Sequence, residues 1–203
     1  MDLYSTLERL CLATSVSGRE SQIRNEIKDI IEPLVDSVSV DALGNLIALK
    51  KGKDGKKIML CAHMDEIGFI VNFIEDNGMI RVGTLGGIRL AWSSFGFVVS
   101  DKGVKGALCA NADAKVEDYS VDVMYIDIGA KSKEEAEKCV SIGDTFVCAP
   151  RLERLLGERV CGRPLDDRIG CAVLLDIAER LWSEELCDDA LSVSEDTRRG
   201  NRL

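Results

Sequence analysis

The sequence predicts an α/β protein interrupted by a small all-β unit, and three observations predict it. Apolar residues recur at helical spacing over 23–34 and again over 169–181. The uninterrupted apolar run Ile58-Met59-Leu60-Cys61 leads straight into Ala62-His63-Met64-Asp65-Glu66, a strand that ends in polar, chemically capable residues. Between about 68 and 150 the texture changes to short apolar stretches separated by Asn-Gly, Gly-Gly and Lys-Gly steps, which suits a small β-barrel or sandwich.

In chain order, Ser17-Gly18-Arg19-Glu20 has the spacing of a capping box. Ile23, Ile27, Ile30, Ile31 and Leu34 then mark one helix face, which Pro33 disrupts near its end. Strands are expected at 38–40 and 46–49, joined by a turn at Ala42-Leu43-Gly44-Asn45, followed by a charged, solvated connection over 50–57. The β unit draws strands from 69–74, 79–82, 95–99 and 104–108, with one short helix over 132–138. A second buried helix runs over 168–181, with Ile169, Val173, Ile177 and Leu181 as its stripe and Cys171, Leu174 and Leu175 widening it. Beyond it, 184–203 holds one plausible strand and an exposed end with Arg198, Arg199, Asn201 and Arg202. No internal repeat or low-complexity segment is present.

The 203 residues are enough for one large or two small domains, and 46% hydrophobic content supports an ordered core. Thirty-five acidic against 26 basic side chains give a formal charge of -9, which argues against nucleic acid or an anionic membrane as partner. The first residues lack the basic start and apolar centre of a secretory signal, and the longest apolar run, near 67–74, is too short to span a bilayer, so a cytoplasmic location is expected. Eight cysteines scattered without close pairs, Cys11, Cys61, Cys109, Cys139, Cys148, Cys161, Cys171 and Cys187, read as reduced and mostly buried thiols.

His63 is the one histidine in the chain. A strand that delivers an imidazole and, two residues later, the Asp65 carboxylate to one side of a sheet is a familiar start to a metal site, although a lone histidine is more often an ordinary surface or core residue. Asp166-Asp167 precedes the second helix, where an aspartate can bridge two cations or simply cap the helix. Glu195-Asp196 follows the apolar stretch Ala190-Leu191-Ser192-Val193 and can be a strand-end acid pair or a solvated turn. Gly83 to Gly87 lacks the Gly-Lys-Ser/Thr of a phosphate loop. Trp92, Phe95 and Phe97 read as core or subunit-contact aromatics, and Cys61 as no nucleophile, since the sole histidine is better used by metal.

Taken together, HMDEIGF at 63–69, LDDRIGCAVLLDIAERL at 165–181 and the acidic pair after a short strand resemble the metallo-aminopeptidases of the glutamyl and tetrahedral aminopeptidase family, some members of which carry an endoglucanase label. The similarity extends to 12–20, to Asp41-Ala42-Leu43-Gly44-Asn45-Leu46 and to Tyr125-Ile126-Asp127-Ile128-Gly129-Ala130. It implies a zinc-peptidase-type α/β catalytic domain formed discontinuously by 1–67 and 157–203 and incomplete at its carboxyl end. It also implies an inserted β-barrel domain over 68–156 that contacts other subunits of a homo-oligomer. The resemblance further implies two divalent ions, zinc or cobalt, with His63 a ligand of one, Asp65 orienting it and Asp166 bridging. Glu195 would match the general base, and Asp196 a ligand of the second metal. The family continues beyond the point where this sequence stops, through strands that supply one more aspartate and a final histidine, so each metal would lack one protein ligand here.

The function expected is a dinuclear metal-dependent aminopeptidase removing amino-terminal residues from peptides, impaired by truncation. The alternative is a non-catalytic fragment or pseudo-enzyme that acts as an assembly module. A glycan hydrolase ranks third, because no carboxylate separation follows from sequence.

Overall fold

The computed structural model describes residues 1–53, 57–90, 96–181 and, through their backbone, 182 and 189–195. Trp92, Phe95, Cys187, Asp196, part of the charged loop at 54–56 and the tail to Leu203 lie outside the described residues. The chain divides into two compact units, one formed by Met1–Glu66 with the described residues from Pro150 on, the other by Ile67–Ala149.

The first unit begins with α1 (Leu3–Leu12), which the sequence reading had not assigned. Asp2 caps it by accepting the Ser5 N–H at 3.3 Å, and Leu7, Leu10 and Cys11 bury one face at helical spacing. Helix α2 (Ser21–Ile31) buries Ile23, Ile27 and Ile31 as the periodicity predicts, and a 3-10 turn at Glu32–Leu34 containing Pro33 ends it. The helix starts one residue after Glu20, which occupies the N-cap position itself and turns its carboxylate back onto the Gly18 N–H. Burial explains this, because Glu20 is 4% exposed and its carboxylate takes the nearest backbone donor.

Strands β1 (Ser37–Val40) and β2 (Leu46–Lys50) pair antiparallel about the predicted turn, where Asp41 Oδ1 accepts the N–H groups of Leu43 and Asn45 at 2.9 Å each. Strand β3 (Lys57–His63) carries the apolar run into His63. The second unit supplies β4 to β9, and the chain returns through a hairpin of β10 (Arg151–Arg154) and β11 (Val160–Arg163). Helix α4 (Arg168–Trp182) and β12 (Asp189–Glu195) follow. The sheet runs β1-β2-β12-β3; β12 is antiparallel to β2 and parallel to β3. Parallel neighbours need a crossover, and here α4 lies between them in sequence.

The core of this unit joins Leu7, Leu10 and Cys11 of α1, the three isoleucines of α2, Leu46 and Ala48 of β2, Ala62, and Cys171, Ala172 and Leu175 of α4. This corrects the centre of the expected stripe of α4 and bears out Cys171 and Leu175, which widened it. Ile169 is 45% and Val173 42% exposed, whereas Arg168, Cys171, Ala172 and Leu175 are buried. The buried face also takes in Ala172 and a buried arginine, which a search for large apolar residues passes over.

The second unit settles the choice between barrel and sandwich. Strands β4 (Gly68–Ile74), β5 (Ile80–Leu85), β6 (Phe97–Ser100), β7 (Lys105–Ala110), β8 (Met124–Asp127) and β9 (Thr145–Cys148) close in the order β4-β5-β8-β7-β6-β9. Phe69, Ile80, Leu108, Met124, Ile126 and Phe146 fill the interior at 0% exposure, as a small closed barrel requires. The β4–β5 turn depends on Gly78 at φ 87°, where a Cβ would stand 2.8 Å from the Ala130 carbonyl oxygen. The short helix α3 (Lys133–Ala136) is capped by Ser132, whose hydroxyl accepts the Glu135 N–H at 3.3 Å. Phe97 is no core residue here, being 78% exposed.

Candidate functional site

Strand β3 delivers His63 at its carboxyl end, and the chain then passes Met64, Asp65 and Glu66 into the core. Met64 is wholly buried, which anchors the segment immediately after the histidine. His63 Nδ1 lies 3.1 Å from Asp65 Oδ1, and its Nε2 lies 2.9 Å from Asp166 Oδ1. Three of the residues singled out in the sequence are thus in contact across 103 positions of chain. The Asp65 side chain is 11% exposed and that of Asp166 94%, so the imidazole spans from a buried carboxylate to one open to solvent.

The two aspartates before α4 divide the roles that the sequence left open. Asp167 caps the helix: its Oδ1 accepts the Gly170 N–H at 3.0 Å, and its backbone carbonyl accepts the Cys171 N–H at 3.1 Å. A Cβ at position 170 would meet the Asp167 carboxylate at 2.4 Å, so any larger residue there would displace the capping side chain. Asp166 is left free of capping and faces His63. The Asp166-Asp167 peptide is cis, as is Arg163-Pro164.

Glu195 ends β12 and is the register partner of His63 in the parallel β12–β3 ladder. The backbone therefore sets these two positions side by side at the carboxyl ends of neighbouring strands, the edge at which open α/β sheets hold ligands. Asp196 lies outside the described residues.

Does this donor set suit a cation? When Asp65 accepts the Nδ1 proton, Nε2 presents a lone pair to the Asp166 oxygen, and two acceptors then stand 2.9 Å apart. That separation is a hydrogen-bond distance, and an imidazole with a carboxylate is also an ordinary pair of zinc donors, which would hold an ion to one side of the line joining them. Among the described residues no group of three or more His, Cys, Asp or Glu side chains converges on one point. The residues present fit part of a metal site.

Beneath the site is a buried cluster that sequence reasoning missed. Arg168 is wholly buried; it donates through Nη1 to the Leu10 carbonyl and through Nη2 to Ser15 Oγ at 2.8 Å. Its Nη2 stands 3.8 Å from Glu66 Oε1. Burial pushes the Glu66 carboxyl up to about 7 against the opposing pull of Arg168, Arg163 and the Ser15 N–H. Burial also lowers the guanidinium of Arg168 and raises the thiols of Cys11 and Cys171 to about 11 and about 12, so both thiols stay protonated. The available signal was an arginine at the start of an otherwise apolar helix and a second acid beside Asp65.

Every described cysteine is a free thiol, as expected, but the expectation of mostly buried thiols is corrected. Cys11, Cys148 and Cys171 are buried, whereas Cys61, Cys139 and Cys161 are exposed, because they lie on uncovered strand or loop surface. No helix among the described residues is long and apolar enough to cross a membrane.

The α/β unit brings an imidazole and carboxylates together beside its strand ends, and comparison with known proteins gives the class. The M42 glutamyl aminopeptidase profile matches residues 44–195. The chain belongs to the M42 glutamyl aminopeptidase family. A putative aminopeptidase of Acetivibrio thermocellus is 44% identical over 184 residues, covering 89% of this chain and 54% of that protein. Among solved structures, an endoglucanase of Thermotoga maritima superposes with TM-score 0.82 at 37% identity, over 93% of this chain and 58% of that one. The TET1 peptidase of Pyrococcus horikoshii, which can assemble into a tetrahedron or a large octahedral shell, gives TM-score 0.83 at 33% identity, over 95% of this chain and 60% of that one. The chain spans about half the length of the curated relative it matches.

Proposed function

We propose that this chain carries part of the active site of a dinuclear metal-dependent aminopeptidase that hydrolyses the amino-terminal residue from peptides. The observation that carries the reading is the opposition of His63 Nε2 and Asp166 Oδ1 at 2.9 Å, in a chain of the M42 family. His63, Asp166 and Asp196 would hold the two ions, and Asp65 would fix the His63 ring and its tautomer through Nδ1. Zinc or cobalt bound there would supply Lewis acidity toward the scissile carbonyl and toward water. Glu195 accepts the proton of the attacking water as the C–O bond forms, and returns it to the leaving amine as the C–N bond breaks. Asp166, open to solvent, is accessible to substrate.

The domain roles proposed are a discontinuous catalytic unit and an inserted barrel that contacts other subunits. The test is zinc or cobalt binding, with hydrolysis of aminoacyl-nitroanilides, by the purified chain and by His63→Ala and Asp166→Ala. Both substitutions should abolish metal binding and any cleavage. Undiminished activity of either variant after metal stripping sinks the reading.

A second reading, a non-catalytic assembly module, is favoured by large apolar side chains exposed on the barrel unit, namely Phe73, Phe97 and Ile142 at 50, 78 and 69%. The assembly of the TET1 peptidase supports the self-association in this reading and not the lack of catalysis. Light scattering should give a homo-oligomer, and a monomer at high concentration counts against this reading.

A further inference from the structure

The cluster under the site connects the two segments that carry its opposed side chains. Glu66 follows His63 by three residues on the segment leaving β3, and Arg168 follows Asp166 by two at the start of α4. Between them stands Ser15, which accepts from Arg168 Nη2 at 2.8 Å, donates its hydroxyl to the Met64 carbonyl at 3.3 Å, and accepts the Glu66 N–H on its own carbonyl at 2.9 Å. A further tie runs directly from α4 to the histidine, whose carbonyl accepts the Cys171 S–H at 3.4 Å.

As a device for stability alone this arrangement is poor. The guanidinium and carboxyl groups approach only to 3.8 Å while both are almost fully buried, and Glu66 Oε2 and Arg168 Nε have no hydrogen-bond partner. Burying such groups costs free energy that an apolar pair of the same shape would not. What the cluster does provide is a rigid link of fixed length between two strand-end segments.

We propose that Arg168, Ser15 and Glu66 are positioning residues, a buried clamp that sets the separation of His63 Nε2 and Asp166 Oδ1 and so tunes the site for its cation. This rests on the reading of His63 and Asp166 as ligands, and the experiment separates the two. Because His63 is the only histidine, a two-bond proton–nitrogen correlation spectrum shows one imidazole and reports on it directly. Spectra are compared for the parent chain, Arg168→Met, Arg168→Lys, Ser15→Ala and Glu66→Gln. Arg180→Met serves as control, since it removes only the exposed pair with Asp176 on the same helix. Cobalt alone is then titrated into each folded chain, following its visible absorption bands.

The clamp predicts altered His63 ring signals in the cluster variants and none in Arg180→Met. It also predicts at least about a tenfold loss of cobalt affinity in Arg168→Met, partly restored in Arg168→Lys, the scale expected when support behind a ligand is removed. If Arg168→Met fails to fold, Ser15→Ala, which removes one hydrogen bond, and Arg168→Lys decide the matter. Ring signals and cobalt affinity equal to the parent in the folded variants overturn the clamp and leave the ligand reading standing. A parent chain that binds no cobalt, with ring signals that still respond to the cluster, overturns the ligand reading and leaves the clamp.

Discussion

His63 and both of its observed partners, Asp65 and Asp166, were singled out at the level of sequence, the last through the family resemblance. The place of His63 after an apolar run was enough to single it out, together with Asp65 two positions on. That Asp166 and not Asp167 faces it was decided by helix capping, because Asp167 is held by the Gly170 N–H. Asp167→Ala should therefore cost about 1 kcal/mol of stability in urea unfolding, the usual value of a lost cap. Glu66 gives a pH dependence of definite sign. Burial raises its carboxyl from the ordinary 4.5 to about 7, so the folded state keeps a proton that the unfolded chain has released. The contribution of this group is complete below pH 4.5 and is lost as pH rises through about 7. The loss is on the order of 3 kcal/mol. Unfolding measured across that window should show a falling stability in the parent that Glu66→Gln flattens; an unchanged slope would show that Glu66 titrates normally.

At the scale of elements, periodicity found helices α2 and α4 and put Cys171 and Leu175 on the buried side of the second, but centred the stripe on residues that are exposed. Apolar residues at four-residue steps marked Ile169 and Val173, yet the helix lies on Arg168, Cys171, Ala172 and Leu175. Close approach selects small side chains, and the arginine is tolerated because Leu10, Ser15 and Glu66 surround its head. The two faces make different predictions. Leu175→Ala, wholly buried, should cost about 2–5 kcal/mol, and Val173→Ala on the exposed flank under about 1 kcal/mol. Equal costs would put Val173 on the buried face as well. Helix α1 was missed although Leu7, Leu10 and Cys11 have helical spacing, because ten residues with a single Asp2 cap give a short signal. In the barrel, Phe69→Ala should cost about 3–5 kcal/mol, whereas Phe97→Ala should be near neutral in thermal unfolding.

For the molecule as a whole, sequence alone determined that an α/β frame encloses a run of short strands and that His63 ends one of the frame's strands. It did so because burial periodicity and turn residues are local properties, written in neighbouring positions. The resemblance in 63–69 and 165–181 likewise agrees with the M42 match over 44–195. Only the tertiary structure decided that the strands close as a barrel and that β12 inserts between β2 and β3 with Glu195 level with His63. It also decided that Arg168 is drawn into the core beneath the site. These depend on pairing and packing between residues far apart in the chain, where ladder register, capping and desolvation select among partners that no local pattern distinguishes.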